Sequence, residues 1–135
     1  MAVFAAIIRH PYFLAAFGGA IGSVGRVMMT NLVTRWMGDD FPFGTIAVNV
    51  SGAILMGLLA GYGTTEPGKL LFVPAAKIFL MIGVLGGYTT FSSFSLQTFL
   101  LFEQGNLIGA LLNVILSVAL CVVGIWIGFV TIRAL

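Results

Sequence analysis

The sequence predicts an all-α integral membrane protein with four transmembrane helices. Of its 135 residues, 60% are hydrophobic and only 7% are charged, whereas a soluble domain carries about 25% charged residues. The charged residues divide the chain into four apolar segments, about 11–36, 42–63, 74–102 and 105–132. Each is at or near the ~20 residues that a membrane-spanning helix needs. Since no linker separates them, we expect residues 1–135 to form a single transmembrane domain.

The first segment carries one charge well inside its apolar run, Arg26. The segment is too long and too polar at its start for a cleavable signal peptide, so we expect it to remain in the mature protein. A charge inside a membrane span indicates a functional residue by default. The alternative is that Arg26 extends its guanidinium to the membrane surface. The sequence is consistent with either role.

The second segment opens with GTIAVNVSG, which places Thr45 and Asn49 one helical turn apart on a common face. The amide of Asn49 can donate to an anion inside the membrane. It can equally form a hydrogen bond to a neighbouring helix. Both interpretations remain open at this point.

The third segment contains the stretch GGYTTFSSFS at residues 86–95. Gly86 and Gly87, followed by the β-branched Thr89 and Thr90, disfavour a continuous helix. At membrane depth, an unwound turn is tolerated only where it is buried in protein or lines a wet cavity. Its freed carbonyls can bind a cation, and the helix N-terminus that follows favours an anion. A simple kink with back-bonded hydroxyls is the alternative.

Two phenylalanines follow this predicted break. Phe91 and Phe94 are three residues apart and share one face of a half-helix that we expect to begin near Ser92. Because an aromatic ring has a positive edge, two rings turned edge-on can hold a small anion. The alternative is that both rings serve only in packing.

The fourth segment carries a polar stripe of residues four apart, Asn113, Ser117 and Cys121. Every segment also contains glycines four apart, which let helix backbones approach closely. These pairs are Gly18 and Gly22, Gly57 and Gly61, Gly83 and Gly87, Gly105 and Gly109, and Gly124 and Gly128.

The remaining polar residues exclude several functions. One His, one Cys and four acids that lie in loops or at a segment end supply no catalytic set, so we expect no enzyme. We expect the lipid bilayer as the surroundings and no nucleic-acid partner. Four helices are few for enclosing a pathway, which favours a homodimer. Lys and Arg divide four to two between the two sides, a weak bias that permits insertion in both orientations.

Three motifs, GGAIGSVGR at 18–26, GTIAVNVSG at 44–52 and GGYTTFSSFS at 86–95, closely resemble the Fluc (CrcB) family of fluoride channels. The likeness covers nearly the whole chain. It implies a dual-topology, antiparallel homodimer in the bacterial inner membrane, with two pores for fluoride. The implied role is the passive export of cytoplasmic fluoride, which gives fluoride resistance.

The resemblance also implies roles for individual residues. Phe91 and Phe94 would line the pores, Asn49 would contact the ion and Arg26 would sit near the vestibule. Thr45, Asn113 and Ser117 complete the predicted fluoride pathway. The backbone carbonyls of Gly86 and Thr89 from both subunits would hold a structural Na⁺. The chain departs from the family pattern at Gln97, where many relatives have Glu, and in the polar track of the last span.

The best alternative is a small dual-topology exporter of cationic drugs driven by protons. Such coupling needs a carboxylate embedded in the membrane, and none of the four segments carries one at depth. A purely structural helix-packing subunit would account for the glycines but not for the clustered hydroxyls.

Overall fold

The computed structural model describes residues 10–134 and contains four helical segments that are long and apolar enough to cross a membrane. These are α1 (Pro11–Met37), α2 (Phe43–Tyr62), a composite third span (Pro74–Glu103) and α7 (Leu107–Arg133). A short helix, α3 (Glu66–Leu71), lies between the second and third spans. The predicted all-α fold with four spans is confirmed, and the span ends agree with those predicted to within two residues.

The third span is built from several pieces. It begins with α4 (Pro74–Lys77), continues as a π-helical segment (Ile78–Leu85) and ends its first half with α5 (Gly86–Tyr88). Thr89 and Thr90 are not helical, and α6 (Phe91–Glu103) forms the second half.

The predicted break in the third span is therefore confirmed, with two differences. Gly86 and Gly87 remain helical and the break falls on the two threonines after them, so α6 begins at Phe91 rather than near Ser92. The π-helical segment was not predicted. Such segments are rare and often lie at functional sites.

The glycine pairs of α1 and the third span pack against each other. A Cβ on Gly18 would lie 2.6 Å from the carbonyl oxygen of Phe79, and one on Gly22 would overlap the carbonyl of Val84. From the other side, a Cβ on Gly87 would meet the backbone of Gly19. Side chains at these positions would force the two helices apart.

The second and fourth spans form a similar pair. A Cβ on Gly57 would meet the backbone of Ile125, and one on Gly128 would meet the carbonyl of Ile54. Asn113 and Val48 are fully buried between the helices. The close packing predicted from glycine spacing is thus present in both helix pairs.

The close helix contact predicted for Gly105 and Gly109 is wrong. Gly105 lies in the turn before α7 with φ of +76°, and nothing lies within 4 Å of a Cβ built on it. Gly109 faces the side chain of Asn106, whose oxygen accepts from the Gly109 amide at 2.9 Å. These two glycines serve the turn and the cap of α7 rather than a helix–helix contact, because the helix starts only at Leu107.

Much of the outer surface is apolar. Large hydrophobic side chains on α1, α6 and α7 are exposed, including Tyr12, Trp36, Phe91 and Trp126. In a soluble monomer such a surface is rare. It suits a chain surrounded by lipid.

Candidate ion site at the break of the third span

The break interrupts the third span near its middle. Thr89 has φ −77° and ψ 157°, and Thr90 has φ −150° and ψ 113°, so both residues are extended. The hydroxyl of Thr90 caps α6 by accepting from the Ser93 amide at 3.2 Å. The hydroxyl of Thr89 donates to the Leu85 carbonyl at 2.9 Å. Thr90 therefore stabilises the first turn of α6, and Thr89 stabilises the last helical turn before the break.

Asn49 on α2 forms a pair of hydrogen bonds with the backbone of Thr90. Its Oδ1 accepts from the Thr90 amide at 2.8 Å, and its Nδ2 donates to the Thr90 carbonyl at 3.1 Å. The two residues are 41 positions apart in the chain. A side-chain amide has one acceptor and two N–H donors, so one N–H of Asn49 is left over.

The hydrogen bonds at the break leave two carbonyls without their usual helical donors. In a continuous helix, the amide of Thr90 would donate to the carbonyl of Gly86, and that of Ser93 to the carbonyl of Thr89. Here the Thr90 amide donates to Asn49 and the Ser93 amide donates to the Thr90 hydroxyl. Gly86 and Thr89 are the two residues whose carbonyls the family resemblance implies as cation ligands.

The half of the third span before the break is held by polar contacts from α1 and α2. The hydroxyl of Ser23 donates to the Gly87 carbonyl at 3.5 Å, and Arg26 donates to Ser23 at 3.4 Å. On the other side, the hydroxyls of Ser51 and Tyr88 are 2.9 Å apart. Arg26 is thus linked to Gly87, before the break, by two successive hydrogen bonds through Ser23.

Phe91 and Phe94 contact each other but differ in exposure. Their ring centroids are 5.4 Å apart with the planes inclined at 53°. Phe91 is 78% exposed and Phe94 is 8% exposed. Phe94 also lines an apolar groove between α6 and α7, together with Thr98 and Ala110. Within one chain, the two rings therefore do not enclose a pathway.

A chain of hydrogen bonds joins the polar stripe of α7 to α6. Ser117 donates to Asn113 at 3.4 Å, Asn113 donates to the Thr98 hydroxyl at 2.8 Å, and Thr98 donates to the Phe94 carbonyl at 2.8 Å. Asn113 has no exposed surface and Ser117 only 5%. The spacing of Asn113 and Ser117 indicated a shared face, but Thr98 was missed because its partner lies on another helix.

The other predicted residues lie apart from this network. Thr45 is 4% exposed on α2, one turn before Asn49, and Cys121 is half-buried on α7. The amide oxygen of Gln97 is buried and has no hydrogen-bond partner among residues 10–134. Within the same residues, no three His, Cys, Asp or Glu side chains group as metal ligands.

Comparison with known proteins agrees with the motifs. Residues 13–129 match the family model described as CrcB-like protein, Camphor Resistance (CrcB). A protein named fluoride-specific ion channel FluC from Rhodospirillum rubrum is 45% identical over 120 residues, which are 88% of this chain and 92% of that protein. A protein of the same name from Opitutus terrae is 45% identical over 88% of this chain and 89% of its own length. Another, from Coxiella burnetii, is 46% identical over 85% of this chain and 91% of its own length. The chain belongs to the CrcB-like family.

Proposed function

We propose that this protein is a fluoride channel that lets fluoride leave the cytoplasm passively, and that it is not an enzyme. The relatives named as fluoride-specific ion channels support this proposal at about 45% identity over most of the chain. The observation that carries it is the broken third span, where an apolar helix brings together carbonyls, hydroxyls and two phenylalanine rings.

The residues around α6 suit a small anion. The helix begins at the break, so its partial positive charge lies at membrane depth. Phe91 is the first residue of this helix and Phe94 follows three residues later. The edges of their rings are electropositive. Such contacts attract an anion without the strong binding that would stop it from leaving. We therefore assign Phe91 and Phe94 to the pathway.

The remaining predicted pathway residues have different supports. Arg26 is placed near the break by Ser23, and its charge attracts anions. Thr45 and Asn49 lie one turn apart on α2. Asn113 and Ser117 form the polar stripe that reaches α6 through Thr98.

We further propose that the carbonyls of Gly86 and Thr89 hold a structural Na⁺ shared by two subunits. Carbonyl oxygens freed by an unwound membrane helix are known Na⁺ ligands. This proposal is supported by the hydrogen bonds of the Thr90 and Ser93 amides. In a continuous helix these amides would donate to the two carbonyls, but here they donate to side chains instead. Bound there, Na⁺ would supply a fixed positive charge at the break.

The assembly we propose is an antiparallel homodimer in the bacterial inner membrane. One chain leaves Phe91 and large parts of α1 and α7 exposed, so a second copy is needed to enclose a path. The numbers of Lys and Arg on the two sides of the membrane differ only slightly, which favours insertion in both orientations. Two antiparallel copies would bring two breaks together at the centre of the membrane.

The alternative of a proton-coupled exporter of cations receives less support. Asp39 and Asp40 lie in the loop after α1, Glu66 starts α3 and Glu103 is the last residue of α6. These are all four acids of the chain. An exporter of this kind needs a carboxylate at depth that exchanges protons for substrate.

A growth experiment separates the two functions in cells. We expect expression of the chain to restore growth in fluoride to a bacterium that lacks its own fluoride exporter, without changing its tolerance of cationic dyes. The matched control is a chain with Phe91→Ile and Phe94→Ile. Dye resistance without fluoride resistance, at normal membrane levels of the protein, would favour the exporter and contradict the channel.

A further inference from the structure

We infer that Asn49 is a positioning residue that keeps the third span broken, by holding the Thr90 amide away from the Gly86 carbonyl. The inference gives Asn49 a role through the backbone of another residue, in addition to any contact with a passing ion. Only the use of the freed Gly86 carbonyl as a Na⁺ ligand rests on the proposed function.

The first step concerns the two hydrogen bonds of Asn49. Both run to the backbone of a single residue, Thr90, at 2.8 and 3.1 Å. A side-chain amide that satisfies the N–H and the C=O of one residue replaces the partners that a neighbouring turn or strand would offer. Thr90 can therefore stay extended inside the protein without an unsatisfied backbone group.

The second step concerns what would happen without Asn49. An extended residue in the middle of an apolar span costs free energy unless its polar groups are paired. The Gly86 carbonyl is the regular helical partner of the Thr90 amide. With Asn49 replaced by an apolar residue, pairing these two groups would satisfy both, and α5 would continue through Thr90.

The third step concerns the reach of the effect. Thr90 caps α6 through its hydroxyl, which accepts from Ser93. Helical backbone at Thr90 would remove that cap and turn the start of α6, including Phe91, to a new direction. One amide on α2 thus sets both the free carbonyl before the break and the direction of the ring after it.

The test reads the backbone at Thr90 by NMR of the full-length protein in detergent micelles, with ¹³C- and ¹⁵N-labelled threonine. In the native protein, the Thr90 ¹³Cα shift should be that of an extended residue. In Asn49→Leu, we expect it to move toward the helical value. The matched control is Asn113→Leu, which removes a buried asparagine from another membrane span and should leave the Thr90 shift unchanged.

A second variant covers the case in which Asn49→Leu does not fold. Asn49→Asp keeps an oxygen acceptor for the Thr90 amide, and a protonated carboxyl also keeps a donor for the Thr90 carbonyl. We expect Thr90 to stay extended in this variant.

Two outcomes would overturn the inference: an extended Thr90 in folded Asn49→Leu, or a helical Thr90 in folded Asn49→Asp. Fluoride flux through the native protein is measured separately. A native protein that conducts no fluoride would contradict the channel and leave the backbone result standing.

Discussion

At the scale of single residues, the pathway assignment depends on Phe91 and Phe94. Replacing either ring with Ile keeps the site apolar but removes the electropositive edge. Losing an anion contact of about 1–2 kcal/mol at a constriction slows passage by roughly ten-fold, since each ~1.4 kcal/mol changes a rate by a factor of ten. We therefore expect both variants to lose fluoride flux from liposomes by about ten-fold.

The two phenylalanine variants should differ in stability, which provides the control. Phe94 is buried and Phe91 is exposed within the chain, so Phe94→Ile removes core contacts that Phe91→Ile does not. We expect a lower midpoint of thermal unfolding for Phe94→Ile alone. Stable variants that conduct fluoride at the native rate would show that the rings serve only in packing.

Asn113 is the residue for which we expect the largest stability effect of a polar change. It has no exposed surface and joins Ser117 to Thr98. Leaving buried hydrogen-bonding partners unsatisfied costs about 1–3 kcal/mol, and we expect Asn113→Ala to lower the free energy of unfolding in micelles by that amount. Asn31, exposed on α1, is the control. Equal stability of Asn113→Ala and Asn31→Ala would contradict this role.

At the scale of helices, the glycine contacts predict which substitutions separate the spans. Gly22→Ala would place a methyl group against the Val84 carbonyl, whereas Gly19→Ala on the same helix would meet only the Gly83 carbonyl at an ordinary 3.9 Å. We expect Gly22→Ala to destabilise the protein by about 1–3 kcal/mol and Gly19→Ala to have little effect. Thermal unfolding in micelles measures both. The reverse order of stability would contradict the packing.

Gly86→Ala tests the proposed Na⁺ site through a substitution that we expect to have no effect. A Cβ on Gly86 meets no atom closer than 3.7 Å, so Gly86→Ala should keep the fold and the backbone oxygen. We expect the variant to retain fluoride flux and any stabilisation by Na⁺ over K⁺ seen in the native protein. Loss of that Na⁺ effect in a well-folded Gly86→Ala would count against carbonyl ligation.

The helices also show what the sequence can and cannot predict. Apolar length predicts the four spans, and glycines followed by β-branched residues predict the break, because both depend on local physics. The partner of each glycine face and the bonds from Asn49 to Thr90 depend on residues 41 or more positions apart, or on how helices cross. Periodicity placed Asn113 and Ser117 on one face, but only the fold shows that Thr98 joins them.

At the scale of the whole molecule, the proposed antiparallel dimer predicts mixed topology. With Cys121→Ser in the background, a single cysteine in place of Asp40, in the exposed loop after α1, should be accessible from outside in about half of the molecules, because the charge bias is weak. Labelling of intact cells with an impermeant thiol reagent measures this fraction. Permeabilised cells, in which all molecules should react, provide the control. Uniform labelling or uniform protection in intact cells would contradict dual topology.

The most direct test of the account is ion efflux from liposomes that contain the purified protein, loaded with equal fluoride and chloride. Valinomycin and a K⁺ gradient set the membrane potential. We predict rapid fluoride efflux with little chloride efflux, which stops when the potential balances the fluoride gradient and needs no proton gradient. Equal efflux of both anions, or fluoride movement only with a proton gradient, would contradict a passive fluoride channel.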